Sequence, residues 1–152
     1  MEMELDQQFI IRAATKNDFQ QLVGLFLEFA TFENLQYRMI NSLEQMLKEQ
    51  EFFNGFVAVL SDGQIVGYAT WFFTYYTFTG KAMYMDDLYI TPDWRGKGLG
   101  SLLIKQVITK AKETNCNKLR WQVSEWNGPA IAFYKQLGAE IDEVERNCNL
   151  DL

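Results

Sequence analysis

The chain has 152 residues, of which 48% are hydrophobic and 15% aromatic, and its formal net charge at pH 7 is −6. This size and apolar content predict a single domain, spanning residues 1–152, with a full hydrophobic core. The negative charge disfavours binding to nucleic acid or to an anionic membrane, and the absence of histidine excludes Ser-His-Asp catalysis, Cys-His catalysis and His-ligated metal sites.

The first half of the chain predicts one strand, two helices and a β-hairpin. A capping-box pattern from Thr15 to Asp18 opens a helix in which apolar residues recur at helical spacing up to Ala30. Ser42 begins a second, shorter helix. An Asp-Gly turn at Asp62 joins two apolar runs, as in a hairpin. The strands of this half are predicted over residues 9–12, 55–60 and 65–74.

The second half predicts three strands that alternate with two helices. Its strands are expected over residues 82–91, 118–124 and 140–151, and its helices over residues 99–112 and 128–137. The element order is therefore β-α-α-β-β-β-α-β-α-β. This order contains both hairpins and a strand–helix–strand crossover, so it predicts a mixed sheet in a protein of the α/β (α+β mixed) class.

A glycine-rich segment joins the strand over 82–91 to the helix over 99–112, and it reads Arg95-Gly96-Lys97-Gly98-Leu99-Gly100-Ser101. Glycine leaves the backbone open to a ligand, and the start of a helix offers unpaired N–H groups with a partial positive charge. Arg95 and Lys97 add two cations. These features favour an anion site, most often for phosphate, over a plain surface turn. The G-x-G-x-G spacing matches neither the dinucleotide fingerprint nor the P-loop.

The two cysteines, Cys116 and Cys148, are too few and too far apart for a zinc module or a disulfide framework, so no metal is expected. The N-terminal residues are acidic and lack the apolar region of a secretory signal. No run approaches the ~20 apolar residues of a membrane span. The sequence therefore predicts a cytoplasmic protein that binds neither membrane nor nucleic acid.

Two blocks of the sequence resemble the GNAT superfamily of acetyl-CoA-dependent N-acetyltransferases. The glycine-rich segment is similar to the family's acetyl-CoA signature, Q/R-x-x-G-x-G/A, at Arg95, Gly98 and Gly100. Residues 125–134, which read Glu-Trp-Asn-Gly-Pro-Ala-Ile-Ala-Phe-Tyr, resemble the second conserved block. The resemblance covers nearly the whole chain and is closest to the diamine branch, with its spermidine/spermine-like and thialysine-like enzymes. Further supporting segments are residues 11–15, 29–33 and 86–89.

This resemblance implies a GNAT-like fold and acetyl-CoA as co-substrate. In that fold a mixed, mostly antiparallel central sheet, flanked by four helices, splays around the acetyl-CoA site, and a homodimer is implied by the resemblance alone. The pyrophosphate would rest on backbone N–H groups of the glycine-rich segment, and the pantetheine arm would pair with the backbone of residues 88–90. The residues expected to bind acetyl-CoA are Leu88, Tyr89, Ile90, Arg95, Gly96, Lys97, Gly98, Leu99, Gly100, Ser101, Asn127, Pro129, Ala130 and Tyr134. For Asn127 the alternative is a helix N-cap.

Acetyl transfer to an amine needs a deprotonated amine, a stabilised oxyanion and a thiolate that can take up a proton. By resemblance, Tyr134 is the general acid for the thiolate; the alternative is a buried tyrosine whose hydroxyl meets an ordinary partner. Asp86 stands where the diamine branch carries a glutamate that acts as base or amine anchor. Since aspartate is one methylene shorter, action through a water molecule is favoured over direct contact.

The resemblance implies a small cationic acceptor, such as a diamine, a polyamine or a lysine-like side chain. The residues expected to bind it are Glu33, Asp86, Asp87, Trp121 and Gln122. The alternative for Glu33 and Asp87 is a solvated charge, and for Trp121 a core position. Tyr76 and Phe78 stand where the polyamine enzymes carry an acidic residue and a tryptophan, so a shorter amine is an equal alternative to a long polyamine.

Two other functions stay open at this point. An open, shallow acceptor groove would favour acetylation of a protein N-terminus or lysine, whereas a narrow acidic pocket would favour a small amine. The third hypothesis is a non-catalytic acyl-CoA-binding module, against which Tyr134 and the nearby carboxylates argue.

Overall fold

The computed structural model describes residues 8–152, which divide into two compact units between Trp121 and Gln122. The strands, all in the first unit, are β1 (Phe9–Ala13), β2 (Gly55–Leu60), β3 (Ile65–Tyr76), β4 (Gly80–Ile90) and β5 (Leu119–Arg120). The helices of that unit are α1 (Phe19–Phe32), α2 (Leu43–Lys48) and α3 (Leu99–Glu113), and the second unit holds α4 (Gly128–Gln136). A single domain over residues 1–152 stays a prediction.

The five strands form one sheet in the order β1-β2-β3-β4-β5. The first four strands pair antiparallel, and β5 pairs parallel to β4. The predicted mixed, mostly antiparallel sheet is therefore confirmed. The described chain also contains the four predicted α-helices, and none of them is long and apolar enough to cross a membrane.

The predicted capping signals lie at the 3-10 turn Lys16–Asp18, which leads into α1, and at the start of α2. The Thr15 backbone N–H donates to the Asp18 carboxylate at 2.8 Å, and Arg12 on β1 donates two further bonds to it at 2.7 and 2.8 Å. The Arg12 hydrogen bonds hold the pKa of Asp18 below its usual range. Ser42 Oγ accepts a bond from the Gln45 backbone N–H at 3.1 Å and caps α2.

The centre of the sheet is buried on both faces, as the burial of every residue from 65 to 71 shows. On one face Phe19 and Leu22 of α1 pack with Tyr68 in a single core cluster. On the other face α3 lies against Gly67, where an added Cβ would come within 2.6 Å of Ile90 Cδ1 and 3.3 Å of Leu103 Cδ1. A larger residue at position 67 would have to displace the Ile90 side chain and would crowd the Tyr89 carbonyl oxygen at 3.2 Å, so glycine favours the close approach of α3.

Two predicted strands are corrected by the structure. The strand predicted over 118–124 pairs only at Leu119 and Arg120, because β4 bulges two residues beyond their partners and a bulge bends the strand. Residues 140–152 contain no strand, although one was expected over 140–151. No neighbouring strand supplies ladder hydrogen bonds to this mostly exposed stretch. At the β3–β4 turn the strands extend two residues further than predicted, to Tyr76 and from Gly80.

Candidate active site

A β-bulge in β4 positions two adjacent carboxylates. The register with β3 pairs Thr70 with Asp87 and Trp71 with Met85, which leaves Asp86 as the extra residue. Successive side chains of a regular strand point to opposite faces, but Asp86 and Asp87 line the same cavity. The bulge accounts for this, since it locally breaks the alternation. Thr70 holds the bulge through its Oγ1, which accepts a bond from the Asp87 backbone N–H at 3.1 Å.

This cavity, which we call the acidic cavity, has a volume of about 530 Å³ and lies within the first unit. Its walls come from the second half of α1, the segments on either side of α2, and the bulged part of the sheet. The aromatic lining residues are Phe26, Phe29, Phe52, Phe53, Trp71 and Phe72. Of the lining residues described, four carry charge: Glu33, Arg38, Asp86 and Asp87. An aromatic cavity with a net negative charge suits a small cationic ligand.

Asp87 is the most strongly perturbed carboxyl of the acidic cavity. Burial, with the charges of Asp86 and Glu33, raises its pKa to about 7. The fully buried Tyr68 donates a hydrogen bond from its hydroxyl to Asp87 Oδ2 at 3.2 Å, which opposes part of that rise. A carboxyl with this pKa can both accept and release a proton at neutral pH.

Asp86 differs from Asp87 in its access to water. Solvent reaches its side chain, yet the surrounding cavity walls remove part of its hydration, and this desolvation raises the pKa of Asp86 above the ordinary carboxyl value. The structure therefore brings together three of the predicted acceptor-binding residues, Glu33, Asp86 and Asp87.

Asp87 should make stability depend on pH. Its pKa is about 7 in the fold against an ordinary 3.8, so the folded state retains a proton that the unfolded chain releases. The resulting stabilisation is fully present below about pH 4 and is lost as the pH rises through about 7. We therefore expect the Tm of Asp87→Asn, relative to wild type, to increase between pH 5 and pH 8. Thermal unfolding at both pH values checks this. Glu113→Gln, at an exposed position in the last turn of α3, is the control. A difference in Tm that does not change with pH would contradict the prediction.

The glycine-rich segment has the backbone conformation that its glycines allow. Gly96 and Gly98 have φ of +74° and +84°, in the left-handed region, and Gly98 is the N-cap of α3. No heavy atom lies within 4 Å of a Cβ placed on either residue. The Leu102 N–H donates to the Gly98 carbonyl at 3.1 Å, which leaves the N–H groups of the preceding turn available to an acceptor. This open, glycine-lined helix start fits the pyrophosphate of a nucleotide-type group.

Replacing Gly98 with alanine tests the need for this conformation. We expect Gly98→Ala to lower the free energy of unfolding by about 1–2 kcal/mol, because alanine is disfavoured at positive φ, and to raise the KM for acetyl-CoA, the co-substrate that the sequence resemblance implies. Denaturant titration and steady-state kinetics measure the two effects. Gly24→Ala, in the interior of α1 with open space around its Cβ, is the control and should gain stability. A Gly98→Ala protein as stable as wild type would show that the left-handed cap is not required.

The Arg95 side chain contacts the end of β4 and α1. Its Nε donates to the Ile90 carbonyl at 2.9 Å, and its guanidinium lies 4.8 Å from the Phe32 ring centre and 5.4 Å from that of Tyr89. Arg95 thus ties the glycine-rich segment to the end of β4 and to α1. The Lys97 ammonium lies over the Trp94 ring at 5.3 Å.

The edge of β4 expected to receive an added strand is only partly available. The Thr91 N–H bonds to the Val66 carbonyl on β3 at 2.9 Å, so by alternation the polar backbone groups of Tyr89 also face β3. Those of Leu88 and Ile90 face the other edge, where Arg95 already occupies the Ile90 carbonyl. Leu88 therefore provides the most accessible backbone groups of the three.

The other predicted site residues lie outside the acidic cavity or in the second unit. Trp121 is half-buried and, like Tyr76 and Phe78, does not line the acidic cavity. In the second unit, Gln122 Nε2 donates to Asn147 Oδ1 at 2.6 Å.

Before the first residue of α4, Asn127 Oδ1 accepts a bond from the Ala130 N–H at 3.3 Å, which confirms the N-cap alternative for Asn127. Pro129 lies in the first turn of the same helix, and Tyr134 is buried. The assignment of Tyr134 as general acid stays a prediction.

Sequence reasoning missed Arg38, Tyr68 and the aromatic walls of the acidic cavity. Arg38 carries no motif, and Tyr68 looked like an ordinary strand residue. The sequence contained one signal for the bulge, the two consecutive aspartates Asp86 and Asp87 in an otherwise apolar strand. In a regular strand their side chains would point to opposite faces, and one charge would enter the core.

Comparison with known proteins identifies relatives over most of the chain. The model of the acetyltransferase (GNAT) family matches residues 19–139. A thialysine N-epsilon-acetyltransferase of Mus musculus is 35% identical over 141 residues, which cover 86% of this chain and 83% of the mouse protein. A human spermidine/spermine N(1)-acetyltransferase-like protein 1 is 31% identical over 86% of this chain and 20% of its own length. The crystal structure of an aminoglycoside acetyltransferase from an uncultured soil metagenomic sample shares the fold, with a TM-score of 0.81, 24% identity and coverage of 97% and 99% of the two chains.

Proposed function

This chain belongs to the acetyltransferase (GNAT) family and is an acyltransferase, and we propose that it transfers the acetyl group of acetyl-CoA to a primary amine of a small cationic acceptor, by direct attack in a ternary complex. The acidic cavity carries this proposal, because it combines three carboxylates with aromatic walls in about 530 Å³. The names of the mouse and human relatives, which refer to thialysine and to spermidine and spermine, support an acceptor of this kind.

Acetyl-CoA supplies the acetyl group as a thioester. The residues that would hold it are the glycine-rich segment, through backbone N–H groups at the start of α3, and Leu88 at the edge of β4. Asp86 and Asp87 hold the ammonium group of the acceptor and take up its proton, directly or through water. Tyr134 donates the proton that the leaving thiolate needs.

The size of the acidic cavity and its three carboxylates favour a small amine over a protein N-terminus or a lysine on a folded protein. Ligand cavities for small molecules commonly have volumes of about 300–1,000 Å³, and the acidic cavity falls in this range.

The same proposal includes a cytoplasmic location and a homodimer, the latter implied by the family resemblance. It also includes a single domain over residues 1–152.

A thiol-release assay tests the proposal. Acetyl-CoA is incubated with polyamines, diamines, lysine analogues, aminoglycosides and peptides, and free thiol is measured against time. We expect saturable release with small amines that carry two or more cationic groups. Release with peptides alone would replace the proposed acceptor by a protein. Thermal stabilisation by acetyl-CoA without release in any reaction would contradict catalysis on these amines.

A further inference from the structure

Arg38 is the one positively charged side chain among the described lining residues of the acidic cavity. It ends the short 3-10 turn Gln36–Arg38 that follows α1, and its side chain is exposed. Its guanidinium lies 5.7 Å from the Tyr37 ring centre and forms no ion pair with any residue from 8 to 152. An arginine in a ligand cavity without an acidic partner is suited to bind a carboxylate by two parallel hydrogen bonds.

The guanidinium acts apart from the carboxylates of the bulge. The pKa values of Asp86 and Asp87 are both raised, and the groups that influence Asp87 are Asp86, Glu33 and Tyr68, with no contribution from Arg38. An arginine in contact with either carboxyl would lower its pKa instead. Arg38 also forms no ion pair with Asp86 or Asp87, so the acidic cavity offers a ligand the guanidinium and these two carboxylates as separate groups.

We propose that Arg38 determines acceptor specificity by binding a carboxylate, so that the acidic cavity takes a basic amino acid in preference to a diamine or polyamine. This inference rests on the proposed acetyl transfer and adds the substrate class. A basic amino acid carries two amino groups and one carboxylate, which match the carboxylates Glu33, Asp86 and Asp87 and the single guanidinium. A diamine leaves the guanidinium unpaired beside a cationic ligand, and such a mismatch disfavours binding.

Three acceptors that differ in one group test this inference. L-Lysine has the carboxylate, L-lysinamide has a neutral amide in its place, and 1,5-diaminopentane lacks the group. For the wild-type enzyme we expect kcat/KM to be about 10-fold or more higher for L-lysine than for the other two, since a hydrogen-bonded charge pair contributes about 1.5–3 kcal/mol and 1.4 kcal/mol is tenfold.

The variant Arg38→Gln should lower kcat/KM for L-lysine by about 10- to 50-fold, mainly through KM. It should raise the values for L-lysinamide and 1,5-diaminopentane slightly, by less than about threefold, because a like charge is removed. Arg38→Lys should recover part of the loss, because lysine keeps the positive charge but lacks the paired N–H donors of the guanidinium. Lys105→Gln, on the exposed face of α3, is the matched control and should leave all three values unchanged.

An equal loss on all three acceptors would show a structural role for Arg38 and overturn the inference. Efficient acetylation of 1,5-diaminopentane with poor use of L-lysine by the wild-type enzyme would also overturn it, while the proposed amine acetylation would stand. Absence of turnover with every amine would overturn both.

Discussion

Replacing Tyr134 with phenylalanine should lower kcat by about 10²–10⁴, with little change in the affinity for acetyl-CoA. The substitution removes one hydroxyl from a buried ring in the last turn of α4. The Asn127 cap at the start of that helix is untouched, so the helix is expected to keep its structure. Without this hydroxyl, the leaving thiolate receives no proton from Tyr134. Because the pKa of a thiol is about 8.5, the thiol is the more stable form at neutral pH, and the missing proton slows its departure.

Steady-state kinetics with acetyl-CoA and a diamine measure the effect. An acyl donor whose leaving group needs no proton should restore much of the lost rate, which a purely structural defect would not allow. Tyr75→Phe serves as the control because Tyr75 is 75% exposed. Near-normal turnover of Tyr134→Phe would remove this residue from the role of general acid.

Replacing Asp86 with asparagine should lower kcat/KM for the amine by about 10²-fold at neutral pH and move the acidic limb of the pH–rate profile. In the wild-type enzyme this limb should fall near pH 7, because activity requires the carboxylate form and the pKa of Asp87 is about 7. The charge of Asp86 is one cause of that raised pKa. Its removal therefore lowers the pKa of Asp87, and the limb should shift to lower pH although the maximum rate falls.

The kcat/KM for the amine, measured from pH 5 to pH 9 for the wild type, Asp86→Asn and Glu113→Gln, decides this prediction. Glu113 is exposed at the end of α3, so its variant should retain the wild-type profile. An Asp86→Asn profile with an unaltered limb and an unaltered maximum would exclude Asp86 from acid–base chemistry and from amine binding.

The glycine-rich segment illustrates what a sequence motif can and cannot predict. Its backbone was predictable, because only glycine readily adopts the positive φ found at Gly96 and Gly98. The direction of the Arg95 side chain was not predictable, because it depends on the path of the turn back to the Ile90 carbonyl and on the Phe32 ring, which the fold brings from α1.

The C-terminal part shows the limit of local patterns for strands. The sequence of residues 140–151 predicts a strand, yet residues 140–152 contain no strand. A strand forms only where a neighbouring strand supplies the ladder hydrogen bonds. The same dependence shortened the strand predicted over 118–124 to Leu119 and Arg120, whose partners on β4 are Met83 and Tyr84.

The sequence by itself determined the features that depend on neighbours along the chain: the capping boxes, the helical apolar spacing, the Asp-Gly hairpin and the two motif blocks of the family. Only the tertiary structure decided how Asp86 and Asp87 come to share one cavity, how Tyr68 bonds to Asp87, and where Arg38 stands relative to both. The physical reason is that a bulge depends on the register between two strands, and a pKa or an ion pair depends on distances through space.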